Sequence, residues 1–353
     1  MTTGTGFSRI YVERKARAHP ESERILTRLA GLPLVEIEDY QELFSRPRQS
    51  FSAQKRAPAL VLAVKEGTFL YRGSERINSW QQSSVWYNDL IRNCVYDCEY
   101  CFLQGMHASA HAVINVNIED YLAETRRALV REGRLYLSIS YLTDLLGFEP
   151  ITHYTQRWIE FARNIPNLEV EIRTKSDNWA ALRGLAPSGN VVLVWSLSPV
   201  QVAATIEHGT ASFANRLYSA RNAIAQGYRV RLCFDPVVVG PGWEEQYRDC
   251  VAETFKRLPA GRIELVSVGG LRMGNDQFSR LRKDDPARSG LFSPVERRNG
   301  ITCYRGEVEA RIRQVVGGAI GAYMPPQRIN FISGPQPASD ETKQTAPAVK
   351  LTG

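Results

Sequence analysis

The chain has 353 residues, 43% of them hydrophobic and 23% charged, with a formal net charge of +7. That balance excludes a disordered or fibrous chain and leaves enough apolar material for one large core. No apolar run is long enough to cross a bilayer, and the opening MTTGTGFSRIYVERK lacks the apolar centre of a signal peptide, so the expectation is a cytoplasmic protein with no membrane partner.

In chain order, residues 1–6 are a Gly/Thr leader, and GTGFSR is no dinucleotide fingerprint because no strand precedes it. From Ile10 to about Leu32 the pattern reads as a basic helix, and PLVEIEDY from Pro33 as a strand and turn. The polar segment from Gln41 to Arg56 reads as a loop. Ala59 to Gly73 reads as a hairpin turning at Glu66-Gly67.

A strand-then-helix rhythm follows. Strands are expected at 83–90, 134–141, 168–175, 190–198, 228–236 and 262–270, with helices near 118–132, 152–164, 177–184, 213–226 and 244–257. The first helix shows the logic: Asn117 is a candidate N-cap, Ile118, Tyr121, Leu122, Thr125 and Leu129 form one stripe, and Gly133 ends it. Six β/α steps imply a parallel sheet with right-handed crossovers, a partial TIM-like (β/α)6 barrel rather than a closed one. In such folds the chemistry lies at the C-terminal ends of the strands. Thr143, Asp144, Lys175, Ser196, Ser198 and Asp235 fall there, and each is also an ordinary turn or cap residue.

The C-terminal region, from about Leu271, has a charged loop, a hairpin around Asn299-Gly300 within 295–308, and then a helix. The Pro/Ser/Thr-rich last twenty residues read as disordered. The expected organisation is an α/β extension over 1–82, the barrel over 83–270, a C-terminal region over 271–333 and a tail over 334–353.

Three of the six cysteines, Cys94, Cys98 and Cys101, lie on one loop directly after the first barrel strand. Thiols that close are metal ligands before they are disulfides, because the intervening loops are too short for good S–S geometry. A zinc site would need a fourth donor, for which His107 is the nearest histidine. Three thiolates suit a [4Fe–4S] cluster that keeps one iron open. The x3, x2 spacing followed by Phe102 resembles the signature of radical S-adenosylmethionine (SAM) enzymes, which bind SAM at that iron.

Beyond the cysteines, YVERKARAHPESERIL, CEYCFLQG with VNIEDY, TDLLGFEP, VEIRTKSDN, WSLSP, GPGWEEQYRD and PPQRI resemble, in order, segments of the spore photoproduct lyases. The resemblance covers roughly residues 8–332. It implies a radical SAM barrel, a [4Fe–4S] cluster and SAM as cofactors, and repair of a thymine photolesion in DNA. It also implies an electron donor such as flavodoxin or ferredoxin. Carried over, Cys94, Cys98 and Cys101 hold the cluster, Thr143, Lys175 and Ser196 approach SAM, and Tyr100, which matches a tyrosine between the last two ligands, is with Tyr141 a catalytic candidate. Two positions depart from the family's hydrogen-return relay: Tyr141 stands where the lyases have a hydrogen-donating cysteine, and Phe102 where they have a tyrosine. Tyr141 itself, Cys233 and Cys303 are the alternative donors. A lesion-reading hairpin would fall at Arg297 to Arg305, with Arg297, Arg298, Tyr304 and Arg305 meeting nucleic acid.

Basic clusters at Arg14-Lys15-Arg17, Arg46 and Arg48, Lys55-Arg56, Arg280 to Lys283 and Arg311 with Arg313 could track phosphates, or simply be solvated faces. Two other readings stay open: a radical SAM enzyme for a different nucleic acid or a peptide, and a nucleic-acid-binding protein with a structural metal.

Overall fold

The computed structural model describes residues 6–73, 80, 82, 84–290, 292–332 and 334. Its main sheet has eight strands in the order Ile329–Ile332, Ile263–Gly270, Arg229–Val237, Val191–Ser196, Leu168–Thr174, Leu135–Ser138, Trp86–Asn88, Leu70–Arg72. All neighbours pair in parallel except the last two, which are antiparallel. The six expected strands are present and consecutive in space, and the sheet stays open between its two edges. The seventh parallel strand, Ile329–Ile332, comes from beyond the expected barrel and pairs with Val266–Gly269.

Strands covered on both faces carry apolar residues throughout, and every residue of Val191–Ser196 is buried. One face packs under helices such as Ile118–Glu132 and Phe213–Gln226, both of which occur where the periodicity places them. On the other face Trp80, Tyr136, Val192, Val194 and Cys233 form a separate cluster in the barrel interior. Glu171 is buried beside it and accepts hydrogen bonds from Tyr136 (2.7 Å), Ser138 (3.1 Å) and the Trp80 indole.

A second sheet departs from expectation. Its order is Leu34–Ile37, Ile10–Glu13, Leu60–Ala63, Ala112–Asn115, Ile91–Arg92. The expected helix over 10–32 is therefore a strand, Ile10–Glu13, followed by a short 3-10 turn and a helix confined to Pro20–Arg28. Pro20 sits at that helix's first turn, where it loses no hydrogen bond, and His19 Nδ1 accepts from the Glu21 amide at 3.2 Å. The expected hairpin at 59–73 does not form either. Leu60–Ala63 is buried at all four positions and takes two partners, Ile10–Glu13 and Ala112–Asn115, while Leu70–Arg72 joins the main sheet. Within the expected 41–56 loop are two short helices, Gln41–Phe44 and Phe51–Lys55, and the expected helix at 177–184 shrinks to a 3-10 turn at Trp179–Ala181.

At the C-terminal end Val295–Arg298 and Ile301–Tyr304 form the expected hairpin, with Asn299 and Gly300 at φ 45° and 77°. A third strand, Arg272–Gly274, pairs with Ile301–Cys303 and ties the hairpin to the end of the barrel. The tail over 335–353 lies outside the described residues. Among the described residues no helix is long and apolar enough to cross a membrane.

Candidate active site

The cysteine loop leaves the short Ile91–Arg92 strand through Asn93, whose φ of 66° turns the chain sharply. The Asn93 amide donates to the carbonyls of Ser109 (2.7 Å) and His111 (2.8 Å), which holds that conformation. From there the loop is braced through its backbone. Lys55 Nζ donates to the Cys94 and Tyr96 carbonyls (2.7 and 2.6 Å), and Gln104 donates to the Cys98 carbonyl (2.7 Å). Asp97–Cys98 pairs as a two-residue antiparallel ladder with Glu207–His208. Arg288 forks onto Asp97 at 3.0 and 2.9 Å. Gly105 lets the Asn275–Asp284 helix press against the loop, since a Cβ there would lie 2.1 Å from the Gln277 carbonyl oxygen.

Cys94, Cys98 and Cys101 are free thiols and all three line one cavity of about 430 Å³ at the C-terminal ends of the strands. Burial pushes the Cys94 thiol up to about 12, with the Asp144 carboxylate adding to the effect. Burial likewise raises Cys98 and Cys101. Such thiols become thiolates only beside a cation, so the chemistry of the set calls for a metal centre. Among the described residues no three His, Cys, Asp or Glu side chains gather around one ion-sized point. A zinc ion would need a fourth donor beside the three thiols, whereas a four-iron cluster can be held by three. His107 is not among the cavity's lining residues; it packs against Phe44 with ring centroids 5.1 Å apart.

The candidate SAM residues meet in the same cavity. Thr143, Lys175 and Ser196 come from the ends of three successive strands and all line it. The Thr143 hydroxyl is buried and has no partner among the described residues, so it offers an unused hydrogen bond. Burial opposes the Lys175 charge, but Cys98 and Glu207 outweigh it and raise its pKa, which keeps an ammonium beside the cysteine loop. Its amide donates to Asp144 at 2.6 Å, and Asp144 also accepts from Thr174 (2.8 Å) and Gly147 (2.9 Å). Ser196 is buried, and its carbonyl accepts from Arg216 at 3.0 Å.

Tyr100 is buried with Lys175 over its ring at 5.4 Å, and its phenol donates to Glu207. Burial, then the Glu207 charge, keeps that phenol protonated. Tyr141 lines the cavity between two rings, Phe102 at 5.3 Å and Tyr87 at 4.8 Å between centroids. Cys233 and Cys303 are wholly buried and neither lines the cavity; the Ser267 hydroxyl donates to Cys233 Sγ at 2.9 Å. Both are core residues, whereas Tyr141 lines the cavity.

The hairpin assignment needs correction at two of its four residues. Tyr304 is wholly buried, with its hydroxyl accepting from the Val239 amide at 3.1 Å, so it is not presented to a ligand. Arg298 is tied inward to Glu296 (3.1 Å), Glu309 (3.3 Å) and the Tyr304 carbonyl (2.9 Å). Arg297 and Arg305 are exposed. Arg297 donates to Ser279 at 2.9 Å, which sets it beside the exposed Arg280, Arg282 and Lys283 of the neighbouring helix. Some members of the other basic clusters are spent on ion pairs: Arg14 with Glu36 and Glu38, Lys15 with Glu66, and Arg311 with Glu244.

Several residues that shape the site carry no signal in the sequence. Lys55, Glu207, Arg216 and Arg288 support the cysteine loop from segments distant in the chain, and nothing in their local sequence ties them to it. Asp235 and Arg272 form a two-pronged pair (2.6 and 2.7 Å) in the cavity wall. Asp235 had been legible as a strand-end polar residue, but Arg272 had not.

A family model described as spore photoproduct lyase matches residues 9–269. The spore photoproduct lyase of a Geobacillus species is 22% identical over 254 residues, covering 70% of this chain and 73% of that one. That of Clostridium acetobutylicum is 21% identical over 271 residues, 74% and 78% of the two chains. Among solved structures, a tyrosine-to-phenylalanine variant of a spore photoproduct lyase superposes with a TM-score of 0.76 at 19% identity, over 92% of this chain and 98% of that one. A spore photoproduct lyase complexed with dinucleoside spore photoproduct gives 0.75 at 18%, over 93% and 99%. The open parallel sheet is thus the fold of those structures, and with the family's own pattern running through three quarters of its length the chain belongs to the spore photoproduct lyase family of radical SAM lyases.

Proposed function

We propose that this protein repairs a thymine photolesion of the spore photoproduct kind in DNA, with a [4Fe–4S] cluster on Cys94, Cys98 and Cys101 and SAM held against it by Thr143, Lys175 and Ser196. The observation that carries the reading is the convergence of three cysteine thiols, one unpartnered buried hydroxyl and one lysine ammonium on a single cavity. When bound, the cluster and SAM supply a 5′-deoxyadenosyl radical that takes a hydrogen atom from the substrate. The protein's contribution is placement and exclusion of water.

Lys175 would offer its positive charge to a carboxylate of SAM, and Thr143 would offer a hydroxyl that no group among the described residues uses. Tyr100 is a fixed wall, locked to Glu207. Tyr141 presents the O–H that quenches the product radical, in place of the cysteine of the lyases. Arg297 and Arg305, with the basic face of the Asn275–Asp284 helix, hold the DNA backbone beside the cavity mouth. The bound dinucleoside spore photoproduct in a relative of the same fold supports the lesion class. A ferredoxin or flavodoxin supplies the electron.

The test is anaerobic reconstitution, iron and sulfide analysis, and reduction with SAM in the presence of DNA carrying the lesion. Expected are a four-iron protein, 5′-deoxyadenosine and restored thymines. A colourless zinc protein would refute the cluster, and 5′-deoxyadenosine without restored thymines would assign a different substrate.

A further inference from the structure

Tyr141 is flanked unequally. On its cysteine-loop side the neighbouring ring is Phe102, which has no O–H to give. On its other side is Tyr87, and Tyr87 stacks in turn on Tyr71, with centroids 5.4 Å apart and planes 24° from parallel. Tyr71 and Tyr87 are direct cross-strand partners at the antiparallel edge of the main sheet, so the sheet itself fixes their contact. Tyr87 lines the cavity, while Tyr71 does not. The Tyr71 hydroxyl lies 2.9 Å from the Thr68 carbonyl, 3.3 Å from Asp89 Oδ2 and 3.1 Å from Lys65 Nζ. A phenol with an acceptor and a cation at hand can release and regain a proton as it loses and regains an electron.

We propose that Tyr141, Tyr87 and Tyr71 form a phenol chain through which an outside one-electron donor restores Tyr141 after each turnover, so that hydrogen is not returned to 5′-deoxyadenosine and SAM is consumed. The proposal rests on the radical chemistry of the preceding section. As the product C–H bond forms, the Tyr141 O–H breaks and leaves a phenoxyl. Across the ring contacts an electron passes from Tyr87 to Tyr141 and then from Tyr71 to Tyr87, each reduced phenoxyl taking up a proton from solvent and each oxidised phenol releasing one. The vacancy ends on Tyr71, where an iron–sulfur or flavin protein supplies one electron and solvent supplies one proton. Each product therefore takes one SAM, one electron through the cluster and one electron with one proton through the tyrosines. Phe102 blocks the opposite direction, which is why the outward path matters in this chain.

The experiment uses full-length, cluster-free protein carrying Tyr141→3-aminotyrosine, a residue that traps a radical. A bulky water-soluble ruthenium photo-oxidant is flashed and the sample freeze-quenched for electron paramagnetic resonance. An aminotyrosyl signal is expected, lost in the added Tyr87→Phe or Tyr71→Phe variants and kept in Phe102→Leu. The phenylalanine variants keep the stacked rings, and unchanged thermal melting verifies that they fold. No signal in the starting protein, or a signal that survives Tyr87→Phe, overturns the chain. In loaded enzyme one SAM should be spent per product, and a smaller ratio also overturns it. If reconstituted protein forms no 5′-deoxyadenosine, the function reading fails while the trapped radical still reports on the tyrosines.

Discussion

Replacing Glu207 by alanine should damage this protein more than any single change at the cavity surface. Glu207 and Arg216 are both wholly buried and 2.5 Å apart. Glu207 also accepts from Ser198 (2.9 Å) and from Tyr100, and its strand partner is Cys98. Removing the carboxylate leaves a guanidinium with only the Thr210 hydroxyl (2.7 Å) and the Ala211 and Ser196 carbonyls (2.8 and 3.0 Å) as partners. Breaking a buried pair from one side costs about 3–5 kcal/mol, and the stranded Tyr100 and Ser198 hydroxyls add to it. Against a total stability of about 5–15 kcal/mol, that brings the variant near unfolding at room temperature. Urea denaturation of the cluster-free protein measures it. Glu207→Gln should lose less, because an acceptor remains for the two hydroxyls. Replacing both charges, Glu207→Leu with Arg216→Met, should recover most of the loss, since no lone charge is left buried. A Glu207→Ala cost under about 1 kcal/mol would refute this account of the loop's anchorage, since breaking a pair this buried should cost several times that.

Other outcomes follow from the same geometry. Burial, then Arg92, depresses His107 to about 4 from 6.5, so its contribution to stability is complete above pH 6.5 and falls away as the pH drops toward 4. With allowance for the ring's partial exposure the loss is about 2 kcal/mol by about pH 4.5. His107→Phe should flatten that part of the urea midpoint versus pH curve, and an unchanged curve would be evidence against it. Arg297→Ala with Arg305→Ala should leave the melting temperature alone and reduce the salt dependence of DNA binding by about two counterions. Tyr304→Ala should instead cost about 3–5 kcal/mol of stability, the usual penalty for truncating a buried ring. Equal DNA-binding slopes for wild type and the double arginine variant would remove the hairpin from the interface. Gly105→Ala should disturb the contact with Gln277, read as a lower melting temperature and lower iron content on reconstitution.

How much was visible beforehand follows physical lines. The helices Ile118–Glu132 and Phe213–Gln226 and the barrel strands were legible because each repeats a local period over many residues. The Ile10–Glu13 strand was not, and Leu60–Ala63 was legible as a strand but not in its pairing. Each is four residues long, and its partners come from distant segments, so local pattern alone favoured a helix for one and a hairpin for the other. The cysteine loop announced itself by spacing. Its supports did not: Lys55 looked like half of a basic cluster, yet it serves two backbone carbonyls. Tyr304, set between charged residues in a hairpin, looked like a ligand-facing aromatic. Its ring instead lies against Gly270 and its hydroxyl accepts from the Val239 amide, which makes it core. Charge counts also mislead in the same way, since they register Arg14 and Arg311 but not the carboxylates that neutralise them.

The two-residue ladder at Cys98 bears on how the protein is born. The cysteine loop's anchors lie 39, 107 and 191 residues away in sequence, at Lys55, Glu207 and Arg288. Lys55 precedes the cysteines on the ribosome, but Glu207 follows long after them, and Arg288 comes later still. A nascent chain thus shows three bare thiols for most of its synthesis before the loop has its final shape. The proposed cluster would therefore have to wait until Arg288 has emerged and the loop has closed, and until then three thiols close in sequence are open to pairing with one another.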